Sequence, residues 1–231
     1  MATPEQLVRL YDLSSPKPWS PACWCTRFAL NYKGIPHTTV PLSYPAIAPK
    51  CSELFPSMTG LEETVLIIEI LALLYKALND SALIARLLNE RYTEADSYKD
   101  LKHVDEADEY DGKELKYLGR PINALDKEDD SREFFKRTRE EFLMCELGDI
   151  MEVRGHGEAA VLEDLKVRWI ILRERMAKED GSGEPNYMDF VDASHVKWIE
   201  GASEEKLAKL MTLYGDDTSI KLMKKVGPYS Y

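Results

Sequence analysis

The feature that most constrains the fold is a change from a strand pattern to a helix pattern near the N-terminus. Apolar residues alternate over about 7–12, and a helical pattern follows over about 21–33. Between the two, Ser20 precedes Pro21, the order that helices favour at the N-cap and first position. Unpaired backbone N–H groups and the positive end of the helix dipole then face the Ser20 hydroxyl. Such a start suits an anion such as a thiolate, and a purely structural cap has the same pattern.

The remainder of the first 92 residues continues the mixture of strand and helix patterns. The β-branched run His37–Leu42 predicts a second strand, and the proline-rich segment 44–59 predicts a loop with one short helix. An apolar run follows at 64–71. Asn79 or Asp80 is then placed to cap a helix in which leucine and isoleucine recur at helical spacing.

Beyond residue 92 the pattern changes. Acidic residues dominate 93–127, which predicts a linker or a first helical segment, and 128–231 reads as a series of helices. Asn186, with Asp189 three residues later, is typical of a capping box in which Asp replaces the usual Glu or Gln. We assign these two residues to stability and not to chemistry.

Charge and composition exclude several classes of function. The chain has a formal net charge of −11, which argues against nucleic acid as a partner because phosphate binding draws on basic patches. The longest apolar run, 65–78, is too short and too charged to cross a membrane, and the N-terminus lacks a signal-peptide pattern. The cysteines and histidines show no metal-ligand spacing, so we expect no metal site and a reducing, cytoplasmic location.

The order strand, Ser-Pro-x-Cys, helix resembles the thioredoxin fold, with Ser20 in place of the nucleophilic cysteine and Cys23 in place of the resolving one. Three segments extend the likeness: WSPACWCTRFALNYKGIPHTTVPLSYP (19–45), NDSALIARLLNERY (79–92) and EPNYMDFVDASHVKWIE (184–200). In this order they resemble the serine-type, etherase-like group of fungal glutathione S-transferases. The sequence is also similar to members of that group in secondary-metabolite clusters such as pseurotin-type pathways.

The resemblance implies an architecture of α/β plus all-α. We expect a thioredoxin-like, glutathione-binding domain at 1–92, the acidic linker at 93–127 and an all-helical C-terminal domain at 128–231. Glutathione is the implied cofactor, and a homodimer is the implied assembly.

The resemblance also assigns roles to individual residues. Ser20 is the predicted catalytic residue, because its hydroxyl can donate a hydrogen bond to a bound thiolate. Asp80 and Ser81 match the acidic-Ser pair that holds the γ-glutamyl end of glutathione, and each also reads as part of a plain helix cap. Lys50, expected at the start of the second short helix, is a candidate for the glycine carboxylate.

The candidate residues for binding the second substrate are chosen only by their position in the chain. We expect a pocket between the domains, lined by the loop before the first helix and by helices of the C-terminal domain. Its candidates are Trp19, Trp24, Tyr117, Phe142 and Met144. Ordinary aromatic packing is the competing interpretation for each of them.

One departure from the family falls in the glutathione site. Where relatives have a Val-Pro step whose cis-proline turns the backbone toward the cysteinyl part of glutathione, this chain has Val65-Leu66. A cis bond without proline costs about 2.5–4 kcal/mol. The turn signal of the following hairpin is also missing. Either the hairpin survives with an altered backbone contact, which we favour, or 66–78 becomes helical.

The sequence therefore predicts a glutathione transferase-like enzyme. The glutathione thiolate would attack a hydrophobic electrophile, which gives conjugation or ether cleavage, or isomerises a double bond by addition and elimination. A tailoring step in fungal secondary-metabolite biosynthesis fits this chemistry. Two alternatives stay open: a non-catalytic binding or assembly protein on the same fold, and a glutathione-dependent reductase that uses Cys23.

Overall fold

The computed structural model describes residues 8–55, 66–70, 76–106, 124–125, 130–178, 183–213 and 215–231. The strands are β1 (Val8–Leu13), β2 (His37–Leu42), β3 (Ile67–Ile70) and β4 (Lys76–Asn79). The helices among them are α1 (Pro21–Lys33), α2 (Tyr44–Leu54) and α3 (Ser81–Arg91). The later helices are α4 (Ser131–Leu143), α5 (Ile150–Val153), α6 (Glu158–Ala177), α7 (Tyr187–Ala202), α8 (Glu204–Thr212) and α9 (Thr218–Val226). Short 3₁₀ turns lie at Glu94–Asp96, Val104–Glu106 and Gly227–Tyr229.

The strands form one mixed sheet in the order β2-β1-β3-β4. β1 and β2 are parallel and are joined through α1, whereas β3 is antiparallel to both β1 and β4. The Ser20 cap and the left-handed Gly34 (φ 70°) set the two ends of α1 where the sequence predicts them. The predicted order of an α/β layer followed by helices is confirmed.

The hairpin after Leu66 is present. Ile67 pairs with Asn79 and Ile70 with Lys76, so the helical alternative for 66–78 is wrong. All four positions of β3 are buried and three of them are isoleucines, and burial of β-branched side chains favours a strand even without a turn signal. Leu66 directly precedes β3 and is buried, and Val65 lies outside the described residues.

α2 differs from the predicted loop with one short helix, because it runs for 11 residues. Pro45 stands in its first turn, where the missing N–H has no intrahelical partner to lose, and only Pro49 removes a hydrogen bond. Ile47 and Cys51, one turn apart, are both buried. Burial of this face offsets the single lost bond.

The helical half is organised around α7, whose capping box is confirmed. The Asp189 backbone N–H donates to Asn186 Oδ1 at 3.2 Å, and the Asn186 backbone N–H donates to Asp189 Oδ2 at 2.9 Å. The buried Asp189 carboxylate also pairs with Arg175 of α6 at 3.1 Å and with Lys225 of α9 at 2.8 Å. One carboxylate thus holds three helices together.

α7 also joins the two halves, because it packs along α1. Phe28 of α1 stacks on Phe190 of α7 with ring centroids 5.6 Å apart. Tyr32, one turn further along α1, contacts the same ring edge-on at 5.6 Å. The α/β layer and the helices therefore share a core.

Candidate functional site

The sheet register brings the predicted glutathione-binding residues to one edge. Tyr11 of β1 pairs with Ile67 of β3, which in turn pairs with Asn79 of β4. The end of β1, the start of β3 and the end of β4 therefore lie side by side. Three described parts of the chain lie at this edge: the loop that leads to Ser20, Leu66 before β3, and the start of α3.

Ser20 closes the N-terminus of α1. Its side chain is almost fully buried, and the Cys23 backbone N–H donates to Ser20 Oγ at 3.3 Å. Because Oγ acts as acceptor in that bond, the hydroxyl proton stays available for donation to a neighbouring anion. This donor capacity is the chemistry that the sequence predicts for Ser20.

Cys23 is less suited to act as the nucleophile. Its thiol is fully buried and lies 3.5 Å from the Tyr11 carbonyl oxygen. Burial, followed by the negative charge of Asp12, raises the pKa of Cys23 well above its usual value, although the Ser20 hydroxyl acts in the opposite direction. Asp12 is itself held by Arg27 at 2.9 Å. The thiol form is therefore strongly favoured.

Asp80 occupies a strained backbone conformation at the start of α3. Its φ is 86°, in the left-handed region that residues other than glycine rarely adopt. Its carboxylate accepts a hydrogen bond from the Leu83 backbone N–H at 2.9 Å. Backbone strain of this kind clusters at ligand-binding sites. Asp80 is exposed and Ser81 follows as the first residue of α3, so both lie at the surface of the sheet edge.

Tyr187, which the sequence analysis did not identify, contributes a buried hydroxyl to the same region. It is the first residue of α7 and is 1% exposed. The hydroxyl lies beside the Cys25 thiol and the Ser81 side chain, and burial raises the pKa of Tyr187. Within the described residues it makes no hydrogen bond of standard geometry. No local pattern in the sequence marks this position, because it depends on the contact of α7 with α1.

Lys50 lies in the middle of α2 and not at its start, because α2 begins earlier than predicted, at Tyr44. Its Nζ pairs with Glu53 at 2.7 Å and lies 5.6 Å from the centre of the Tyr11 ring. α2 therefore holds Lys50 against β1.

The two predicted pocket tryptophans are packed into the core. Trp19 is 2% exposed and contacts the rings of Phe135 at 5.7 Å and Trp198 at 6.0 Å. Gly201 of α7 lies so close that a Cβ on it would be 2.9 Å from Trp19 Cδ1. Trp24 is also buried, and its Nε1 donates to the Pro18 carbonyl oxygen at 2.9 Å.

Phe142 and Met144, two further pocket candidates, lie at the surface of the protein. Each is 79% exposed, at the end of α4. The first half of α4 contacts α2 through Phe134 and Phe135, and Phe142 lies about two turns, or about 10 Å, further along the axis. Tyr117, the remaining candidate, lies outside the described residues.

A cavity of about 650 Å³ lies elsewhere, against α6 and the turn before α7. Its lining mixes charges of both signs and includes Lys102, Glu174, Arg175 and Glu184. None of the predicted site residues lines it. Size alone therefore does not identify the site, and we place more weight on the convergence of helix starts at the sheet edge.

Two classes of site find no support in the described part of the chain. No group of three or more His, Cys, Asp or Glu side chains there could hold a metal ion. Among the helices of the same ranges, none has the length and apolar run that a membrane crossing requires.

Comparisons with known proteins identify the fold. No family model and no curated protein matches the sequence. A glutathione S-transferase of Ceriporiopsis subvermispora, solved in complex with glutathione, is similar at 26% identity and a TM-score of 0.75, over 97% of this chain and 98% of the other. A glutathione transferase of Phanerochaete chrysosporium is similar at 22% identity and a TM-score of 0.77, over 98% and 99% of the two chains. With fungal glutathione S-transferases as its structural neighbours, the chain has the glutathione transferase fold, a thioredoxin-like layer followed by a helical half.

Proposed function

We propose that this protein is a glutathione transferase-like enzyme that binds glutathione at the edge of the sheet. The observation that carries the proposal is that two helices start at this edge: α1 with the hydroxyl of Ser20, and α3 with Asp80 and Ser81. The donor set fits the tripeptide, since a carboxylate suits its ammonium group and a hydroxyl with helix N–H groups suits its carboxylate. The similarity to a transferase solved with glutathione supports the same conclusion.

Ser20 supplies the chemistry that this function needs. A thiol with a pKa of about 8.5 is mostly protonated at neutral pH, and lowering that pKa by about two units corresponds to roughly 2.7 kcal/mol of thiolate stabilisation. The Ser20 O–H and the N-terminus of α1 both act on an anion beside them, and a charged hydrogen bond contributes about 1.5–3 kcal/mol. Together they are sufficient for the shift.

The finer assignments belong to this proposal too. We propose the serine-type, etherase-like group, a hydrophobic electrophile as second substrate, and either conjugation or double-bond isomerisation in fungal secondary metabolism. Residues 1–92 and 128–231 would act as two domains of a cytoplasmic homodimer. The resemblance of segments 19–45, 79–92 and 184–200 supports these assignments.

Calorimetric titration with glutathione tests the proposal. We expect the wild-type chain to bind with a dissociation constant between micromolar and millimolar, and Asp80→Ala to bind at least about tenfold more weakly, the loss of about 1.4 kcal/mol. Asp105→Ala is the matched control. Asp105 is also an exposed carboxylate, and it pairs with Arg86 of α3, the helix that follows Asp80. No heat from the folded wild-type protein, or equal weakening in both variants, would refute the site.

Turnover separates this proposal from the two alternatives. A non-catalytic binding protein would take up glutathione and show no reaction with a generic electrophile such as 4-nitrobenzyl chloride. A reductase would lose activity in Cys23→Ser and keep it in Ser20→Ala. The buried, protonated state of Cys23 leads us to expect the opposite pattern.

A further inference from the structure

The start of α2 is fastened to the start of α4. The Tyr44 backbone N–H donates to Ser131 Oγ at 2.9 Å. The Tyr44 ring stacks on Phe134 at 6.3 Å and contacts Phe135 at 5.3 Å between centroids. These contacts place a tyrosine hydroxyl at the boundary between the α/β layer and the helices.

Arg139 of α4 lies over this aromatic cluster. Its Cζ is 5.4 Å from the centre of the Phe135 ring and 6.0 Å from that of Tyr44. Burial raises the pKa of Tyr44 to about 12. The Arg139 guanidinium lies beside the Tyr44 hydroxyl and acts to lower that pKa. The two rings thus fix the direction of a cationic side chain that is only half-buried.

Arg139 differs from other shielded arginines in what balances its charge. Arg27 pairs with Asp12 at 2.9 Å, Arg168 with Asp192 at 3.3 Å, and Arg175 with Asp192 at 2.7 Å. No carboxylate within the described ranges pairs with Arg139. A half-buried guanidinium with a fixed direction, and with no carboxylate paired to it in the described part of the chain, is suited to an external anion.

The Tyr44–Arg139 pair lies close to the predicted thiol site. Trp19, the residue before Ser20, contacts the Phe135 ring edge-on at 5.7 Å. The Arg139 guanidinium lies over the same Phe135 ring. Cys23 is near enough to be among the groups that affect the pKa of Tyr44, and the Cys23 backbone N–H donates to Ser20 Oγ at 3.3 Å. The pair and the start of α1 therefore share one neighbourhood.

From this juxtaposition we infer that Arg139 and the Tyr44 hydroxyl form a binding site for the carboxylate of an aromatic small molecule. The guanidinium donates to the carboxylate oxygens, Tyr44 donates to one of them, and Phe134 supplies an aromatic surface beside them. The inference deepens the proposed function and rests on it, because it names the second-substrate class as aromatic acids. It also makes the parts of α2 and α4 around Tyr44 and Arg139, and not the end of α4 at Phe142, the walls of that subsite.

The test measures binding without glutathione, so it is independent of the titration proposed above. The probes are 3-phenylpropanoate and its methyl ester, which share the aromatic ring and differ in charge. We expect wild type to bind the acid at least about tenfold more tightly than the ester, a difference of about 1.4 kcal/mol. In Arg139→Met this ratio should fall to about one, and Tyr44→Phe should lower it by a few fold.

Arg137→Met is the matched control. Arg137 lies on the same helix with its Cζ 5.5 Å from the Phe134 ring, and it is exposed. It should keep the wild-type ratio. Thermal unfolding checks each variant, and Arg139→Gln replaces Arg139→Met if the latter does not fold. A wild-type ratio near one, no binding of either probe, a ratio that survives loss of Arg139, or equal loss in Arg137→Met would each overturn the inference.

Discussion

The N-termini of α1 and α7 satisfy the same backbone requirement in opposite ways. At α7, Asn186 and Asp189 exchange two hydrogen bonds, and the buried carboxylate is then neutralised by Arg175 and Lys225. At α1, Ser20 accepts one bond at 3.3 Å, and no acidic residue stands in the first turn.

The difference separates stability from chemistry. A helix start whose donors and charges are all matched within the protein has nothing left for a ligand. The start of α1 keeps a hydroxyl proton and a share of the helix dipole unmatched, so it remains able to stabilise an outside anion. Both starts were visible in the sequence, and their partners distinguish the two uses.

The largest expected effect is the loss of stability when the capping carboxylate at the N-terminus of α7 is removed. Asp189→Ala leaves Arg175 and Lys225 without their shared carboxylate, and removing one partner of a buried charge cluster costs about 3–5 kcal/mol. Urea unfolding measures the loss. Asp217→Ala, which removes an exposed pair with Lys221, should cost less than about 1 kcal/mol. Equal stability of the two variants would show that the three-helix junction contributes little.

Removal of the capping side chain at the N-terminus of α1 should affect activity more than stability. Ser20→Ala removes a single cap, for about 1 kcal/mol of unfolding free energy, while the rate of thiol addition should fall at least about tenfold. The pKa of the thiol of bound glutathione, followed by thiolate absorbance, should rise in the same variant. Ser20→Thr keeps the hydroxyl and is the control. An unchanged thiol pKa in Ser20→Ala would leave Ser20 with a structural role only.

The smallest expected effect is a pH dependence of stability that arises in α7. Burial, with a further contribution from Arg168, lowers the pKa of His195 well below its usual value of 6.5. Below about pH 6.5 the unfolded chain binds a proton that the folded chain does not, so stability falls by up to about 1.4 kcal/mol per pH unit.

Unfolding free energies between pH 7 and pH 5.5 measure this slope. His195→Gln should flatten it, whereas His103→Gln, at an exposed histidine, should keep it. A slope that is the same in all three proteins would assign the pH dependence to other groups.

The parts of the fold that rest on local chemistry could be predicted from sequence. The Ser20-Pro21 start, the Gly34 end and the capping box of α7 depend on residues within one turn of each other. The length of α2 could not be predicted in this way, because its prolines signal a loop and only contact with the sheet shows that its buried face prevails.

The candidate site divides along the same line. Asp80 was identifiable as a cap, but no local sequence pattern indicates its positive φ of 86°. Tyr187 and Arg139 depend on contacts between elements far apart in the chain, so no local pattern marks them. Phe142 is exposed because α4 extends past the α/β layer that its first half contacts, and no local pattern indicates this.

The close approach of Gly201 to Trp19 limits how this protein can be recombined. Trp19 precedes Ser20, so the thiol-facing turn takes its position from a place on α7 where no Cβ fits without a shift. A chimera that joins residues 1–92 to another helical bundle would need a residue without a Cβ at the same place. If the proposed function holds, the first half carries the nucleophile chemistry and the second half aligns it.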